Sequence, residues 1–328
     1  MQQSLEASIF KINTTSEFDA LALKVFEFQY HTNSIYKRYC DLIGVNVNFI
    51  KTPYQIPFLP IEFFKNHKIV STTTKPEIEF TSSGTTATGT SKHLVSNLRL
   101  YEQSFIKGFE YFYGPIEEYC ILALLPAYLE RQGSSLIYMV ESFMQRSKHL
   151  ENGFFLYNHD TLYSKLQQLE KIKQKTLLIG VSFALLDFVE SYKTKLNNTI
   201  VMETGGMKGR RKEILRDELH QILKAGFGVS DIHSEYGMTE LLSQAYSKGK
   251  GIFETPPWMR IFSRNTEDPL TLQNKGTTGG LNIIDLANLN SCSFIATQDL
   301  GRVHRNGDFE VIGRFDHSDI RGCNLMAM

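Results

Sequence analysis

The chain has 328 residues, of which 42% are hydrophobic and 21% are charged, and this composition excludes disordered and fibrous proteins. Lys and Arg together number 35, as do Asp and Glu, so the formal net charge is zero. Because a balanced chain has no long-range field to hold it on nucleic acid or an anionic membrane, we expect a small-molecule or protein partner.

The cysteines and the apolar runs predict a soluble, cytoplasmic protein. The cysteines are Cys40, Cys120, Cys292 and Cys323. None forms a CxxC pair, so they predict neither a zinc site nor a disulfide framework. The longest apolar runs, 121–127 and 176–189, are shorter than the ~20 residues that span a bilayer, and residues 1–15 lack the apolar core of a signal peptide.

The N-terminal part of the chain predicts a long helix, an extended stretch and a short helix. Ser16 with Asp19 predicts a helix start of the capping-box type, and mostly apolar residues with helical spacing follow over 18–29. The two prolines of Ile56–Pro60 predict a stretch that is not a regular helix, after which a short helix or turn begins at Phe63.

The middle of the chain alternates predicted strands with predicted helices. The strands are expected at Ile78–Phe80, Tyr119–Pro126, Lys175–Ser182 and Thr199–Thr204, and the helices at Leu98–Phe112, Gln132–Ser147 and Arg211–Ala225. This alternation predicts parallel sheets with flanking helices, the α/β class. From Gly276 onward, short strands and turns such as Asn306-Gly307 predict a small β-rich part. We expect one large domain over 1–328, with α/β layers to about residue 275 and a β-rich closing part from about 276.

A segment rich in Ser, Thr and Gly, residues 81–91, separates a predicted strand from the helix that follows. Small residues let a backbone approach phosphate closely, and their N–H and hydroxyl groups donate hydrogen bonds. Lys92 adds a positive charge, although Thr90 stands where a Walker loop would have its Lys. The segment therefore indicates phosphate binding, with a flexible surface turn as the alternative.

Two later segments carry further polar residues at the ends of predicted strands. In His233–Glu240, the Glu240 carboxylate could bind Mg²⁺ and Tyr236 could stack on a base. The second segment comprises Thr297–Arg302 and Gly307–Arg314. In it, Asp299 could accept hydrogen bonds from ribose hydroxyls, and Arg314 could neutralise phosphate. Taken alone, the first segment is more typical of a tight turn, and the second is more typical of a hairpin with surface charges.

Taken together, these segments resemble the adenylate-forming enzymes, the superfamily of acyl-CoA synthetases and luciferases. The motifs that match, in the same order, are Ser83-Gly84-Thr85-Thr86, Tyr236-Gly237-Met238-Thr239-Glu240, Thr297-Gln298-Asp299 and Gly313-Arg314. The nearer resemblance is to the acyl-protein synthetases of fatty-acid reductase complexes, the LuxE-like family. This sequence also resembles that family at Ile56–Pro60, Pro256-Pro257-Trp258 and Ile320–Asn324. The resemblance therefore runs from about Pro57 to the end.

The resemblance implies ATP and Mg²⁺ as cofactors and assigns a role to each matching residue. The residues implied at the ATP phosphates are Ser83, Gly84, Thr85, Thr86 and Lys92. Those implied around the adenosine are Gly205, Gly206, Tyr236, Gly237, Thr239, Asp299 and Arg314. Glu240 is implied as the Mg²⁺ ligand, and Cys323 as the cysteine that accepts the acyl group. Cys323, Lys92 and Glu240 are the implied catalytic residues.

The implied reaction joins a carboxylic acid, by family a fatty acid, to AMP and then passes the acyl group to a cysteine as a thioester. Typical superfamily members continue past the Gly-Arg motif into a small lid that carries a catalytic Lys, whereas this sequence ends at Met328. We therefore expect another Lys or a protein partner to take that role, and an acyl-CoA-reductase-like subunit to receive the acyl group.

Two other functions fit parts of the sequence. Gly180-Val181-Ser182-Phe183-Ala184 approximates the nucleophile elbow of serine hydrolases and acyltransferases, with Asp299 and His304 or His317 as later partners. A non-catalytic subunit that binds nucleotide or acyl groups would keep the same loops without the chemistry. ATP-dependent pyrophosphate exchange separates both alternatives from a ligase.

Overall fold

The computed structural model of the chain describes residues 2–82, 89–125, 133–205 and 214–315. The helices are α1 (Gln2–Ile9), α2 (Thr15–Thr32), α3 (Ser34–Leu42), α4 (Phe63–Asn66), α5 (Leu98–Tyr113), α6 (Ser135–Ser147), α7 (His159–Lys171), α8 (Ser182–Ser191) and α9 (Arg216–Phe227). The strands are β1 (Leu59–Pro60), β2 (Ile78–Thr81), β3 (Lys92–Val95), β4 (Cys120–Leu124), β5 (Gly153–Phe154), β6 (Thr176–Val181), β7 (Thr199–Thr204), β8 (His233–Tyr236), β9 (Ala245–Ser247), β10 (Ile252–Phe253), β11 (Met259–Arg264), β12 (Thr278–Asp285), β13 (Phe294–Val303) and β14 (Phe309–Arg314). Within this described part, no helix is both long and apolar enough to cross a membrane.

Two compact units make up the chain. The central unit comprises residues 80–83 and 101–253, and the terminal unit comprises 1–79, 84–100 and 254–328. Each unit has its own sheet, and each is described separately below. The mixed α/β architecture is the one predicted, while a single domain over 1–328 stays a prediction.

The central unit is built on a mainly parallel sheet in the order β5-β4-β6-β7-β8-β9. The strands β4 to β8 are parallel to one another, and a helix separates each from the next along the chain, which confirms the predicted βαβ units. All residues of β4 and β6 are buried, as in sheets covered on both faces. Because ligands of such sheets bind beyond the carboxyl ends of the strands, the ends of β7 and β8 are where a site is expected.

The terminal unit is built on an antiparallel sheet in which β11, β12, β13 and β14 are neighbours in chain order. The prediction of antiparallel strands from Gly276 is confirmed, and this part begins earlier, at Met259. The buried Gln29 of α2 donates to the carbonyls of Asn288 and Leu289 and accepts from the N–H of Ser293. One buried side-chain amide thus forms hydrogen bonds with two carbonyls and one N–H group of the irregular backbone that precedes β13.

The start of α2 differs from the predicted capping box. Thr14 is the N-cap residue, and its hydroxyl accepts from the N–H of Glu17 at 3.2 Å. The Glu17 carboxylate in turn accepts from the N–H of Thr14 at 3.0 Å. The prediction of Ser16 with Asp19 was therefore wrong by two residues. Asp19 is engaged instead by Arg260, whose Nη1 lies 2.5 Å from the Asp19 carboxylate.

A close approach between α8 and α9 gives a test of the central unit's packing. A Cβ added at Gly226 would lie 2.4 Å from the Cβ of Val189. Alanine is favoured over glycine in a helix by about 1 kcal/mol, but the overlap should outweigh this gain. We expect Gly226→Ala to lower the free energy of unfolding by roughly 1–2 kcal/mol in urea denaturation.

The matched control for this overlap is Val189→Ala, which removes the contacting atoms. In the Val189→Ala background, Gly226→Ala should cost less than in the wild type or become stabilising. An equal cost in both backgrounds would show that the overlap is not the cause.

Candidate functional site

Some of the residues singled out from the sequence lie outside the described residues. They are Ser83, Gly84, Thr85, Thr86, Gly206 and Cys323. The others divide between the two units. Those in the central unit are Gly205, Tyr236, Gly237, Thr239 and Glu240, and those in the terminal unit are Lys92, Asp299 and Arg314.

In the central unit, the expected adenosine-binding residues follow the carboxyl ends of two neighbouring strands. The register of β7 and β8 pairs Thr204 with Glu235. Gly205 directly follows β7, and Tyr236, the residue after Glu235, is the last residue of β8. The two residues therefore lie side by side at the carboxyl ends of neighbouring strands. Gly205 has a φ of 68°, a left-handed conformation that glycine adopts without strain.

Tyr236 and Glu240 are both largely buried. The Tyr236 ring is 9% exposed and packs edge-on against Phe253, with 5.8 Å between ring centroids. Glu240 is 5% exposed and lies in the turn closed by the hydrogen bond from the Leu241 N–H to the Met238 carbonyl. In the described residues, no cluster of three or more His, Cys, Asp or Glu could hold a metal. The single Glu240 carboxylate suits Mg²⁺, which is commonly bound by one or two carboxylates together with substrate phosphates and water.

A pair of buried carboxylates lies at the ends of these strands, and sequence reasoning did not assign them to the site. Glu203 is 4% exposed and Glu235 is 8% exposed. Thr204 donates its hydroxyl to Oε2 of Glu235 at 2.5 Å. On the Glu203 carboxylate, Oε1 lies 3.5 Å from Nε2 of His220 and 3.7 Å from Nε of Arg216.

The two carboxylates have different proton affinities because their surroundings differ. Burial raises the pKa of Glu235 to about 7, with the negative charge of Glu203 adding to the effect and the Thr204 hydroxyl opposing it. Burial also acts to raise the pKa of Glu203, but His220 and Arg216 outweigh it, and the pKa lies below its ordinary value. Glu203 therefore carries the negative charge, whereas Glu235 is partly protonated near neutral pH.

The Ser182 hydroxyl belongs to this same cluster. It lies 2.9 Å from the Gly205 carbonyl oxygen and 3.2 Å from Oε2 of Glu203, two acceptors for its proton. Within the described ranges, no histidine is hydrogen-bonded to Ser182, and a nucleophile of the hydrolase type requires such a base. His317, one of the two histidines considered as that base, lies outside the described residues, so the serine hydrolase alternative stays open.

In the terminal unit, Asp299 and Arg314 face each other across β13 and β14. The register pairs them, and Nε of Arg314 lies 3.5 Å from Oδ1 of Asp299. The Asp299 side chain is 13% exposed, whereas that of Arg314 is 71% exposed. The carboxylate is therefore held at the surface of the sheet, while the guanidinium extends into solvent.

Arg264, a residue that sequence reasoning missed, supports the Asp299 segment from inside the sheet. Its Nη1 donates to the Leu281 carbonyl and to Oδ1 of Asn282, each at 2.8 Å, and its Nη2 donates to the Thr297 carbonyl at 2.5 Å. Burial lowers the pKa of the guanidinium, while the nearby acids Glu62 and Asp299 oppose this effect. The only sequence signal was a charged residue at the end of an otherwise buried strand.

Lys92 is the first residue of β3, and its ammonium lies 3.4 Å from Oε1 of Glu79. The Lys92 side chain is 57% exposed. An ion pair this exposed is weak, so it does not prevent the lysine from turning toward another anion. The phosphate role of Lys92 stays a prediction.

The described cysteines are poor candidates for an acyl acceptor. Cys40, Cys120 and Cys292 are free and buried. Burial raises the pKa of Cys40 and of Cys120 to about 12 and raises that of Cys292 as well. These thiols stay protonated at neutral pH, and a protonated thiol is only weakly nucleophilic.

The role of Arg264 can be tested by exchanging the cation. Arg264→Lys keeps the charge but loses the planar fork that reaches several acceptors at once. We expect the free energy of unfolding to fall by roughly 2–3 kcal/mol, because buried carbonyls lose their donors. Arg260→Lys, on the same strand, changes a partly exposed pair with Asp19 and should cost about 1 kcal/mol or less. Equal costs for the two variants in urea denaturation would contradict this assignment.

Comparison with solved structures identifies the fold. ATP-bound MatB from Rhodopseudomonas palustris is 16% identical, with a TM-score of 0.55 over 72% of this chain and 47% of the MatB chain. This chain thus spans about half the length of MatB. An open conformation of 2-hydroxyisobutyryl-CoA ligase, in complex with 2-HIB-AMP and CoA, is 11% identical, with a TM-score of 0.64 over 93% of this chain and 72% of that one. At these identities the likeness shows the fold alone.

Sequence comparison identifies the family. A long-chain-fatty-acid–luciferin-component ligase of Vibrio harveyi is 25% identical over 327 residues, which cover 92% of this chain and 84% of that protein. The model of the acyl-protein synthetase family, LuxE, matches residues 9–328. With nearly the whole chain matched, on the fold of adenylate-forming ligases, this protein belongs to the LuxE family of acyl-protein synthetases, which are AMP-forming ligases.

Proposed function

We propose that this chain activates a fatty acid with ATP to an acyl-adenylate and transfers the acyl group to a cysteine thiol as a thioester. The observation that carries the proposal is the match of the LuxE family model to residues 9–328. The name of the Vibrio harveyi relative, a long-chain-fatty-acid–luciferin-component ligase, supports a long-chain fatty acid as the substrate.

The family resemblance supports a nucleotide-binding role for residues in each unit. Gly205, Gly206 and Tyr236, with Gly237 and Thr239, would surround the adenine. Asp299 would hold the ribose and Arg314 would lie near the α-phosphate. Ser83, Gly84, Thr85, Thr86 and Lys92 would bind the β- and γ-phosphates. The side-by-side placement of Gly205 and Tyr236 at the carboxyl ends of β7 and β8 supports the adenine part of this assignment.

In the first step, a carboxylate oxygen of the fatty acid attacks the α-phosphorus of ATP, and the bond to the pyrophosphate leaving group breaks. The chain's task is to hold two anions together, so positive and hydrogen-bonding groups must offset their repulsion. Arg314 and Lys92 would supply charge, and Asp299 would fix the ribose. Mg²⁺, held by Glu240, would neutralise negative charge on the phosphates.

In the second step, a thiolate attacks the acyl carbon and AMP leaves, so a thioester replaces the mixed anhydride. We assign the thiol to Cys323, where Arg321 two residues away would lower its pKa and raise the thiolate fraction. The burial of Cys40, Cys120 and Cys292 supports this choice by elimination among the described cysteines.

The family description, acyl-protein synthetase, names a protein as the acyl acceptor. We propose that a second protein of the acyl-CoA-reductase type receives the acyl group from Cys323. Such a partner, docked over the site, would also keep water from the adenylate. Added partner should therefore suppress the release of free acid and AMP.

The first test of the proposal is carboxylate-dependent exchange of pyrophosphate into ATP, measured over acetate, aryl acids and medium to long fatty acids. We expect exchange with the fatty acids. Glu240→Gln should lower the exchange rate by roughly 10²-fold, because it removes a ligand that stabilises the reacting phosphates. Glu267→Gln, at an exposed position, is the matched control and should exchange like the wild type. Nucleotide binding without exchange would mean a non-catalytic binding subunit.

The second test separates the two steps. Cys323→Ser should keep pyrophosphate exchange but lose the covalent label that radioactive fatty acid and ATP leave on the chain, because the thiol is needed only for the thioester. The label on the wild type should be released by neutral hydroxylamine. Cys120→Ala, at a buried position, should still be labelled. If the Cys323→Ser chain is labelled like the wild type, Cys323 is not the acceptor.

A further inference from the structure

Gly205 and the Tyr236-Gly237 segment rest on four polar side chains that are almost completely buried. Those side chains are Ser182, Glu203, Thr204 and Glu235. We refer to these four residues as the strand-end cluster. They come from β7, β8 and the first residue of α8. Because neighbouring residues of a strand point to opposite faces of the sheet, Ser182 and Glu203 form one half of the cluster, and Thr204 and Glu235 form the other half on the opposite face.

One half of the strand-end cluster holds the backbone at Gly205. The Ser182 hydroxyl bridges Oε2 of Glu203 and the Gly205 carbonyl oxygen. The other carboxylate oxygen of Glu203 faces His220 and Arg216. Glu203 is thus fixed from both sides, and through it so is the hydroxyl that lies against Gly205.

The other half touches the backbone at Gly237. A Cβ added there would lie 2.4 Å from Oε1 of Glu235, so this oxygen occupies the space that a side chain would need. The Thr204 hydroxyl holds the second carboxylate oxygen at 2.5 Å. Gly237 therefore lies directly against a carboxylate whose orientation is set by its neighbour on β7.

Such an arrangement is costly for a sheet that only needs to be stable. Burying a carboxyl group is unfavourable unless hydrogen bonds and charges compensate it, and apolar residues of similar volume usually serve a core as well or better. The other strands of the same sheet show this alternative, since β4 consists wholly of apolar residues, all of them buried. The acids occur instead at the carboxyl ends of β7 and β8, where a ligand of a parallel sheet binds.

We propose that the strand-end cluster is a positioning network, which fixes the backbone at Gly205 and at Tyr236-Gly237 and thereby the adenosine part of ATP. This inference rests on the proposed function, because it takes those segments to border the adenosine. Ser182 is then a positioning residue and not a nucleophile. The network contacts the backbone at Gly205 and Gly237, both assigned to the nucleotide, so loss of one of its hydrogen bonds should weaken ATP binding more than fatty-acid binding.

Thr204→Val tests the network with almost no change in side-chain volume. It removes the donor to Glu235, and we expect the KM for ATP in pyrophosphate exchange to rise about ten-fold, which corresponds to about 1.4 kcal/mol. The KM for fatty acid should stay within about two-fold of the wild type. Thr204→Ser restores the hydroxyl and should return the KM for ATP most of the way to the wild-type value.

Thr176→Val is the matched control, at the amino end of the neighbouring strand β6 and thus at the opposite end of the strands. Thr176 is fully buried, and its hydroxyl donates to the Gln174 carbonyl at 3.1 Å. Its loss should lower the melting temperature about as much as Thr204→Val does, but it should leave the KM for ATP unchanged. If Thr204 had only a structural role, Thr204→Val would behave like Thr176→Val. It would lower the melting temperature and leave the KM for ATP unchanged.

The outcomes separate this inference from the proposed function. If the wild type exchanges pyrophosphate and Thr204→Val leaves the KM for ATP unchanged, the network is overturned and the function stands. If Thr204→Val does not fold, Ser182→Ala and Glu235→Gln take its place with the same expectation. If the wild type does not exchange but binds ATP in calorimetry, the dissociation constant replaces KM in the comparison. A wild type that neither exchanges nor binds ATP overturns both proposals.

Discussion

The burial of two carboxylates on adjacent strands is the constraint around which the central unit is arranged. Glu203 and Glu235 lie on the adjacent strands β7 and β8, offset by one residue in the register, and ionising both in an apolar interior would be very unfavourable. The structure places Arg216 and His220 of α9 beside Glu203 and the Thr204 hydroxyl of β7 beside Glu235, and the pKa of Glu203 is lowered while burial raises that of Glu235. The first residue of α8, Ser182, adds a hydroxyl donor to Glu203.

The terminal unit uses a buried cation in a comparable way. Arg264 gathers acceptors from β12 and β13, and Gly280 leaves the room for it, since a Cβ there would lie 2.5 Å from its guanidinium carbon. The residues held are those on either side of the irregular register between Gly280 and Asn282. In both units, therefore, a buried ionic group lies beneath residues that the proposed function places at the nucleotide.

The sequence predicted the sheets well because their signal is local. Short, mainly apolar runs such as Thr176–Val181, separated by amphipathic helices, predict buried parallel strands without knowledge of distant contacts. The motif residues were found through a family resemblance. That resemblance is specific because several short motifs occur in the same order as in the family. The supporting residues could not be found in either way. Glu203 and Glu235 are far apart along the chain, and each alone resembles an ordinary strand residue, while the segment around Ser182 indicated a nucleophile instead of a supporting hydroxyl. Their meaning depends on strand register, which spacing does not reveal.

The contact between Glu235 and Gly237 has an evolutionary consequence. Because the carboxylate oxygen fills the space beside the Gly237 Cα, the two positions cannot drift independently. A lineage that acquired a side chain at 237 would first need a shorter residue at 235, and a return to glutamate would then be blocked. The order in which substitutions can accumulate is thus set by one steric contact, and homologous chains should show these two positions changing together or not at all.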